Sequence, residues 1–182
     1  MIKAVMRFRL LFTVLFCFSI LSCNADPEKL PLSQEGIRWL SFEQAVAMND
    51  SIPKKIFIDV YTDWCGWCKR MDAGTFRDSS VISYMNEHYY AVKVDAESKD
   101  TVRFRDKQFV FRPEFKANEL ALSLLNGKMA YPSFVIMSEQ YVLLAPLSGY
   151  QQPDELMQAL TFYGQNIHEQ MKWEDYVKQV EK

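Results

Sequence analysis

Two cysteines separated by two residues are the most reactive feature of the sequence. Cys65 and Cys68 directly follow an apolar segment, residues 56 to 61, that is typical of a strand covered on both faces. A helix that begins at Cys65 would place its sulfur beside unpaired backbone N–H groups, which favour the thiolate. Thiolate is the attacking species in disulfide exchange, so we assign Cys65 as the nucleophile and Cys68 as the resolving cysteine.

The same spacing is also found in half of a structural zinc site, which needs two further ligands. The remaining cysteines, Cys17 and Cys23, lie near the N-terminus, and His88 and His168 stand far apart in the sequence. Because the ligands for a tetrahedral site are missing from the body of the chain, we expect no metal and no other cofactor. With two body cysteines, a framework of structural disulfides is also excluded.

The N-terminus predicts an export signal. Lys3, Arg7 and Arg9 precede an apolar run from Leu10 to Leu21, which is shorter than the roughly 20 residues that a membrane-spanning helix needs. We therefore interpret residues 1–22 as a signal peptide. The chain that follows is long enough for one domain with a substantial core, and too short for two ordinary ones.

The end of this apolar run resembles the bacterial lipobox, with Cys23 as the residue that would be lipidated and become the new N-terminus. Ordinary cleavage after Ala25 is the alternative. In the lipoprotein interpretation, residues 23–36 form a polar tether and residues 37–182 form the folded domain. The protein would then be exported to the periplasm or cell envelope and anchored to a membrane by lipid.

Charge excludes one class of partner. The chain carries 21 Lys and Arg against 23 Asp and Glu, and three of the basic residues lie in the predicted signal. Nucleic-acid binding leaves a basic electrostatic footprint, which this chain lacks. We expect no nucleic-acid partner.

Helices and strands are predicted to alternate in the first half of the body. Ser41 and Gln44 have the spacing of a capping box, and Asp78 precedes a second helical pattern whose expected buried face is formed by Val81, Ile82, Met85 and Tyr89. The predicted elements are a helix at 42–49, a strand at 56–61, a helix at 65–71, a helix after Asp78 and a strand at 90–95. This order is the signature of parallel strands joined by a crossover helix.

The second half predicts an insertion followed by an antiparallel pair. Alternation of Phe and Arg between 101 and 112 indicates a half-exposed β-hairpin, and residues 114–126, ended by Gly127, favour a helix. Residues 134–137 and 141–144 are predicted to form two antiparallel strands, and helices are predicted to begin at Pro153 and at Trp173.

The segment from Phe57 to Lys69 resembles the active-site strand and helix of the thioredoxin superfamily. Asp59 falls where thioredoxins keep a buried carboxylate, and Pro132 falls where they keep a cis-proline. The hairpin insertion, the segment from Met129 to Pro132 and the pair Gly149-Tyr150 resemble exported thioredoxin-like proteins of Bacteroidetes, a resemblance that covers roughly residues 40 to 180. The resemblance implies an α/β, three-layer fold with a mixed central sheet flanked by helices, and with a β-hairpin plus helix insertion at about 101–126.

The resemblance also gives supporting residues their roles. Asp59 would have a pKa raised by desolvation and would exchange a proton as Cys68 attacks. The backbone beside Pro132 would hold an extended substrate. Trp64, Trp67 and Tyr131 would form an apolar rim around Cys65 suited to flexible polypeptide. Gly66, inside the CxxC, is the remaining predicted substrate-binding residue, beside Trp64, Trp67, Tyr131 and Pro132.

Three departures from the thioredoxin pattern concern the redox potential. Trp67 replaces the usual proline, Ala91 stands where a lysine is expected near the buried Asp, and residues 96–130 are longer than a compact thioredoxin needs. Trp67 also differs from the histidine of relatives that resemble strong oxidases, which favours a reductase.

The predicted function is therefore an exported thiol–disulfide oxidoreductase that reduces protein disulfides, with a membrane thiol as a possible electron donor. The alternatives are a disulfide oxidase or isomerase, and a redox-inactive binding module of thioredoxin fold.

Overall fold

The computed structural model of the protein describes residues 36–180. These residues contain nine strands and six α-helices. The strands are β1 (Trp39–Leu40), β2 (Lys55–Tyr61), β3 (Tyr89–Asp95), β4 (Val102–Phe104), β5 (Lys107–Phe109), β6 (Phe111–Arg112), β7 (Ala117–Asn118), β8 (Ser133–Met137) and β9 (Leu143–Ser148). The helices are α1 (Phe42–Ser51), α2 (Gly66–Ala73), α3 (Ser79–His88), α4 (Glu119–Leu124), α5 (Pro153–Gly164) and α6 (Trp173–Val180).

A mixed five-stranded sheet forms the centre of the fold, in the order β1-β3-β2-β8-β9. The first three strands in this order are parallel, whereas β8 pairs antiparallel with β2 and β9 pairs antiparallel with β8. The predicted crossover between β2 and β3 is confirmed. Strand β2 lies in the middle of the sheet, and every residue of it except Tyr61 is buried.

Alternate residues of β2 face two separate cores, because successive side chains of a strand point to opposite faces. Ile56, Ile58 and Val60 pack in the core on one face of the sheet, together with residues of α1 and α4. Phe57 packs in the core on the other face, together with residues of α2, α3 and α5. The sheet is thus covered on both faces, and the predicted three-layer α/β architecture is confirmed.

Local sequence signals set the start of several helices as predicted. At α1, the Ser41 hydroxyl accepts from the Gln44 N–H, and the Gln44 side chain accepts in return from the Ser41 N–H. Asp78 caps α3 by accepting from two backbone N–H groups. Helix α5 begins at Pro153, and α6 spans the segment from Trp173.

The predicted helix at 114–126 is wrong in its first half. The predicted hairpin exists as β4 and β5, but β6 pairs with β7 in a second short hairpin that occupies the start of the expected helix. Helix α4 begins only after Asn118, whose side chain accepts from the Leu120 N–H. Glu119 meanwhile binds the Val110 N–H and the Arg112 side chain. These polar contacts outweigh the local helix propensity of the segment.

Two further boundaries differ from prediction. Tyr89 is the first residue of β3, so it does not belong to the buried face of α3. The strand expected from Tyr141 begins at Leu143, because Tyr141 has a φ of 66°, which is incompatible with an extended strand.

The predicted signal peptide and lipobox, and all of the predicted tether except Gly36, lie outside residues 36–180. Within the part of the chain that the structure describes, no helix is both long and apolar enough to cross a membrane.

Candidate active site

Cys65 and Cys68 lie where β2 gives way to helix α2. Cys65 is the N-cap residue of α2, and its sulfur accepts a hydrogen bond from the Cys68 N–H at 3.0 Å. The two cysteines form a disulfide in this structure and are almost completely buried. A sulfur in this position receives an N–H donor and the positive end of the helix dipole, both of which stabilise a thiolate in the reduced protein.

Asp59 is buried on the face of β2 that also carries Phe57 and is covered by α2. Only 2% of Asp59 is exposed, and desolvation raises the pKa of its carboxyl to about 6, against the opposing effect of Lys93. One oxygen, Oδ2, lies 3.1 Å from Lys93 Nζ. The other oxygen, Oδ1, has no hydrogen-bond partner among residues 36–180. The carboxyl is therefore able to take up a proton near neutral pH.

The lysine beside the buried carboxylate is Lys93, not a residue at position 91. The parallel register of β2 and β3 pairs Asp59 with Lys93 and Phe57 with Ala91. Ala91 instead packs in the apolar core around Phe57. The expected departure from the thioredoxin pattern is thus wrong, because the lysine is present two residues later. Its signal in the sequence is a single charge inside the otherwise apolar segment Tyr90 to Val94.

Lys93 has a second carboxylate partner, Asp72, which lies on α2 one turn after Cys68. The Lys93 ammonium is 2.5 Å from Asp72 Oδ1 and also lies over the rings of Tyr61 and Trp39. Burial opposes its charge, but the two carboxylates outweigh burial and raise the pKa of Lys93. Sequence reasoning missed Asp72, because no local pattern places it opposite Lys93.

Two aromatic pairs border the cysteines. Trp64 is 65% exposed and meets Tyr131 edge to face, with ring centroids 5.8 Å apart. Trp67 is 54% exposed, lies 5.6 Å from the Tyr150 ring, and shares with it the guanidinium of Arg70. Trp64 and Trp67, two of the three residues predicted to form the apolar rim, are therefore both exposed, and sequence reasoning missed Tyr150 and Arg70 beside them.

The remaining predicted substrate-binding residues also lie at this end of the sheet. The Tyr131–Pro132 peptide bond is cis, and the Pro132 carbonyl accepts from the Gly149 N–H at 2.9 Å. Gly66 is exposed in the first turn of α2, and the space where its side chain would lie is open. Their role in substrate binding stays a prediction.

Metal ligands do not gather at this site. Within residues 36–180, no group of three or more His, Cys, Asp or Glu side chains is arranged to hold a metal ion. His88 is the last residue of α3, and His168 lies in a short 3₁₀ helix after α5. Cys23, the predicted lipidation site, is not among the described residues.

The central strand, the CxxC at the following helix N-terminus, the buried carboxylate and the cis-proline together define a thioredoxin fold with a disulfide redox centre. The chain has the fold of the thioredoxin superfamily. A family model described as Thioredox_DsbH, protein of unknown function, DUF255, matches residues 24–113. The matched segment contains Cys65 and Cys68 of the CxxC pair, together with Asp59 and Lys93.

Solved structures share the fold. A putative disulphide-isomerase from Bacteroides thetaiotaomicron is 27% identical with a TM-score of 0.51, over 70% of this chain and 90% of its own. A DsbH oxidoreductase is 19% identical with a TM-score of 0.52, over 72% and 86%. A thioredoxin-fold protein from Helicobacter pylori is 15% identical with a TM-score of 0.54, over 82% and 88%.

A curated relative is an uncharacterized protein from Archaeoglobus fulgidus, 29% identical over 69 residues. That match covers 38% of this chain and 53% of the relative, so the chain spans about half the length of the curated relative.

Proposed function

We propose that this protein is an exported thiol–disulfide oxidoreductase that reduces disulfides in other proteins. The observation that carries the proposal is the CxxC pair at the start of α2, with Cys65 as its N-cap and the Lys93–Asp59 pair between α2 and the sheet. This arrangement supplies a stabilised thiolate, which is the attacking species in disulfide exchange, and a carboxyl with a pKa of about 6 that can accept the proton of the resolving thiol.

The reaction proceeds in two exchanges. The Cys65 thiolate attacks one sulfur of a substrate disulfide, so that a mixed disulfide forms and the other substrate sulfur leaves as a thiolate. Cys68 then loses its proton to Asp59 and attacks the Cys65 sulfur. The second substrate sulfur leaves as a thiolate and takes up a proton. Two electrons pass from the dithiol to the substrate, and the protein ends with the Cys65–Cys68 disulfide.

The exposed aromatic rim is the surface on which substrate would bind. Trp64 and Trp67 offer large apolar faces to solvent on either side of Cys65 in the sequence, and Tyr131 and Tyr150 support them. Aromatic faces bind flexible polypeptide through apolar contact that is tolerant of sequence. The substrates are accordingly proteins with accessible disulfides, and not one small molecule.

An external dithiol must reduce the protein again after each turnover. We assign this role to a thiol donor in the membrane, because the N-terminal segment has the charge and apolar pattern of an export signal. Lipidation of Cys23 would hold the protein at the membrane surface, where such a donor is reached.

A disulfide isomerase or oxidase is the second candidate. It is favoured by the 27% identity to a protein described as a putative disulphide-isomerase. The reductase is preferred because Trp67 occupies the CxxC position at which the oxidase-like relatives carry histidine.

Insulin reduction by dithiothreitol tests the proposed function. We expect the protein to accelerate precipitation of the insulin B chain, and Cys65→Ser to abolish the acceleration, because the nucleophile is lost. A rate equal to that without protein would contradict the assignment. The equilibrium with glutathione then separates the candidates: a reductase has a potential near −270 mV, as in thioredoxin, and an oxidase one near −120 mV.

A further inference from the structure

Asp72 carries a negative charge near the redox centre that the two-step reaction does not use directly. It lies four residues after Cys68 on α2, and its side chain is 45% exposed. Its carboxylate lies 2.5 Å from Lys93 Nζ, closer than the 3.1 Å contact of the same ammonium with Asp59. One lysine therefore connects a buried carboxylate to a carboxylate at the surface.

We propose that Asp72 is a positioning residue for the redox centre: by binding Lys93 it limits how strongly this lysine pairs with Asp59, and so sets the pH at which Asp59 accepts the proton of Cys68. This inference rests on the proposed function, because it assigns a role within the second exchange.

The geometry gives Asp72 two effects on Asp59, and both act in the same direction. Its negative charge disfavours a second negative charge nearby, and its hold on Lys93 leaves less of the ammonium for Asp59. Each effect favours the protonated form of Asp59. Without Asp72, Lys93 would be shared with no other carboxylate and would stabilise ionised Asp59 more strongly.

Solvent reaches the lysine and the outer carboxylate on the same side of the sheet. A cleft of about 500 Å³ is lined by Lys93 and Asp72 together with Trp39 and Phe76. Asp59 itself is buried, and its Oδ1 accepts no hydrogen bond from any described residue. The Lys93 ammonium thus lies between the buried acceptor and groups that exchange protons with solvent.

The other charged or titratable groups around this cluster come from three elements. The ring centroid of Tyr61, on β2, lies 4.8 Å from Lys93 Nζ, and burial raises the pKa of the Tyr61 hydroxyl. Arg77 follows α2, lines the cleft, and donates from Nε to the Asp72 backbone carbonyl at 3.3 Å. Asp95 is the last residue of β3, and its negative charge also raises the pKa of Tyr61. In the reduced protein, the Cys68 thiol adds a further titrating group.

The titration of Asp59 tests this role without reference to activity. It is followed by carboxyl carbon NMR in the full chain, labelled at aspartate, with the cysteines oxidised. We expect Asp72→Asn to lower the Asp59 midpoint by roughly 0.5 to 1 pH unit, a roughly 3- to 10-fold fall in the proton-binding constant of its carboxylate. Asp72→Glu keeps the charge and should titrate like the parent. Lys93→Met should move the midpoint upwards.

Asp106→Asn is the matched control, because it removes one exposed carboxylate from the turn between β4 and β5. It should leave the Asp59 midpoint unchanged. If Asp72→Asn does not fold, Asp72→Ser removes the same charge and takes its place. An Asp59 midpoint that stays within about 0.2 pH unit of the parent in the folded variant would overturn the proposal.

A kinetic measurement connects the titration to the reaction. In single-turnover reduction of a mixed disulfide on Cys65, the rate of Cys68 attack should rise with pH through the Asp59 midpoint. Asp72→Asn should displace this rise to lower pH by the same amount as the NMR midpoint. A protein without insulin-reducing activity would refute the proposed function, whereas an unmoved NMR midpoint would refute only the role of Asp72.

Discussion

Replacing Asp59 by Asn should stabilise the protein increasingly as the pH rises from about 4 to above 6, while slowing its reaction. An aspartate carboxyl in water has a pKa of 3.8, and burial in the fold raises the pKa of Asp59 to about 6. Because folding raises this pKa, the folded state binds a proton that the unfolded state releases. The stability that this proton gives is complete below about pH 3.8 and is lost as the pH rises through 6.

The size of the effect follows from the shift in pKa. A shift from 3.8 to about 6 corresponds to about 3 kcal/mol at pH 8, and to about 1 kcal/mol at pH 4.5. Asn has nearly the shape of the protonated carboxyl and cannot ionise. The unfolding free energy of Asp59→Asn should therefore exceed that of the parent by these amounts, growing with pH.

Urea unfolding of the disulfide-bonded protein, followed by tryptophan fluorescence at several pH values, measures this difference. Asp106→Asn is the control and should show no pH-dependent gain. A difference that is constant between pH 4.5 and 8, or a variant less stable than the parent at pH 8, would refute the burial argument. In the same variant, the resolving step should slow by about 10²-fold, because the proton acceptor is missing.

Three further predictions concern the nucleophile, the rim and the anchor. Iodoacetamide near neutral pH should label Cys65 of the reduced protein well before Cys68, and preferential labelling of Cys68 would reverse their roles. Trp67→Ala should raise KM for insulin several-fold with little change in kcat, while Ile52→Ala, which removes an exposed side chain after α1, should not. Cys23→Ala should release the protein from membranes with its redox activity intact; an unlipidated mature N-terminus in the parent would refute the anchor.

Sequence predicted the parts of the site whose signals are local. The capping residues Ser41 and Asp78 fix helix starts from interactions within a few residues. The continuous apolar run of β2 marks a central strand, and the strand end fixes where Cys65 lies. These elements were predicted because each is specified by the residues that form it.

The missed features depend on contacts between distant segments. Lys93 meets Asp59 because of the register between β2 and β3, and Asp72 meets Lys93 because α2 crosses that face of the sheet. Neither contact leaves a pattern in one segment. The late start of α4 has the same cause, since Glu119 binds Arg112 across the β6–β7 hairpin. Helix propensity depends on the local sequence alone, so it does not include the effect of such a distant partner.

Trapping of a mixed disulfide tests the central claim most directly. In Cys68→Ser, the second exchange cannot occur, so a substrate protein should remain bound to Cys65. Mass spectrometry of the protein incubated with oxidised insulin should find an insulin chain joined through Cys65, released by dithiothreitol. The variant Cys65→Ser, in which the nucleophile is absent, is the control and should capture none. If Cys68→Ser forms no adduct while the parent reduces insulin, the two-step mechanism is contradicted.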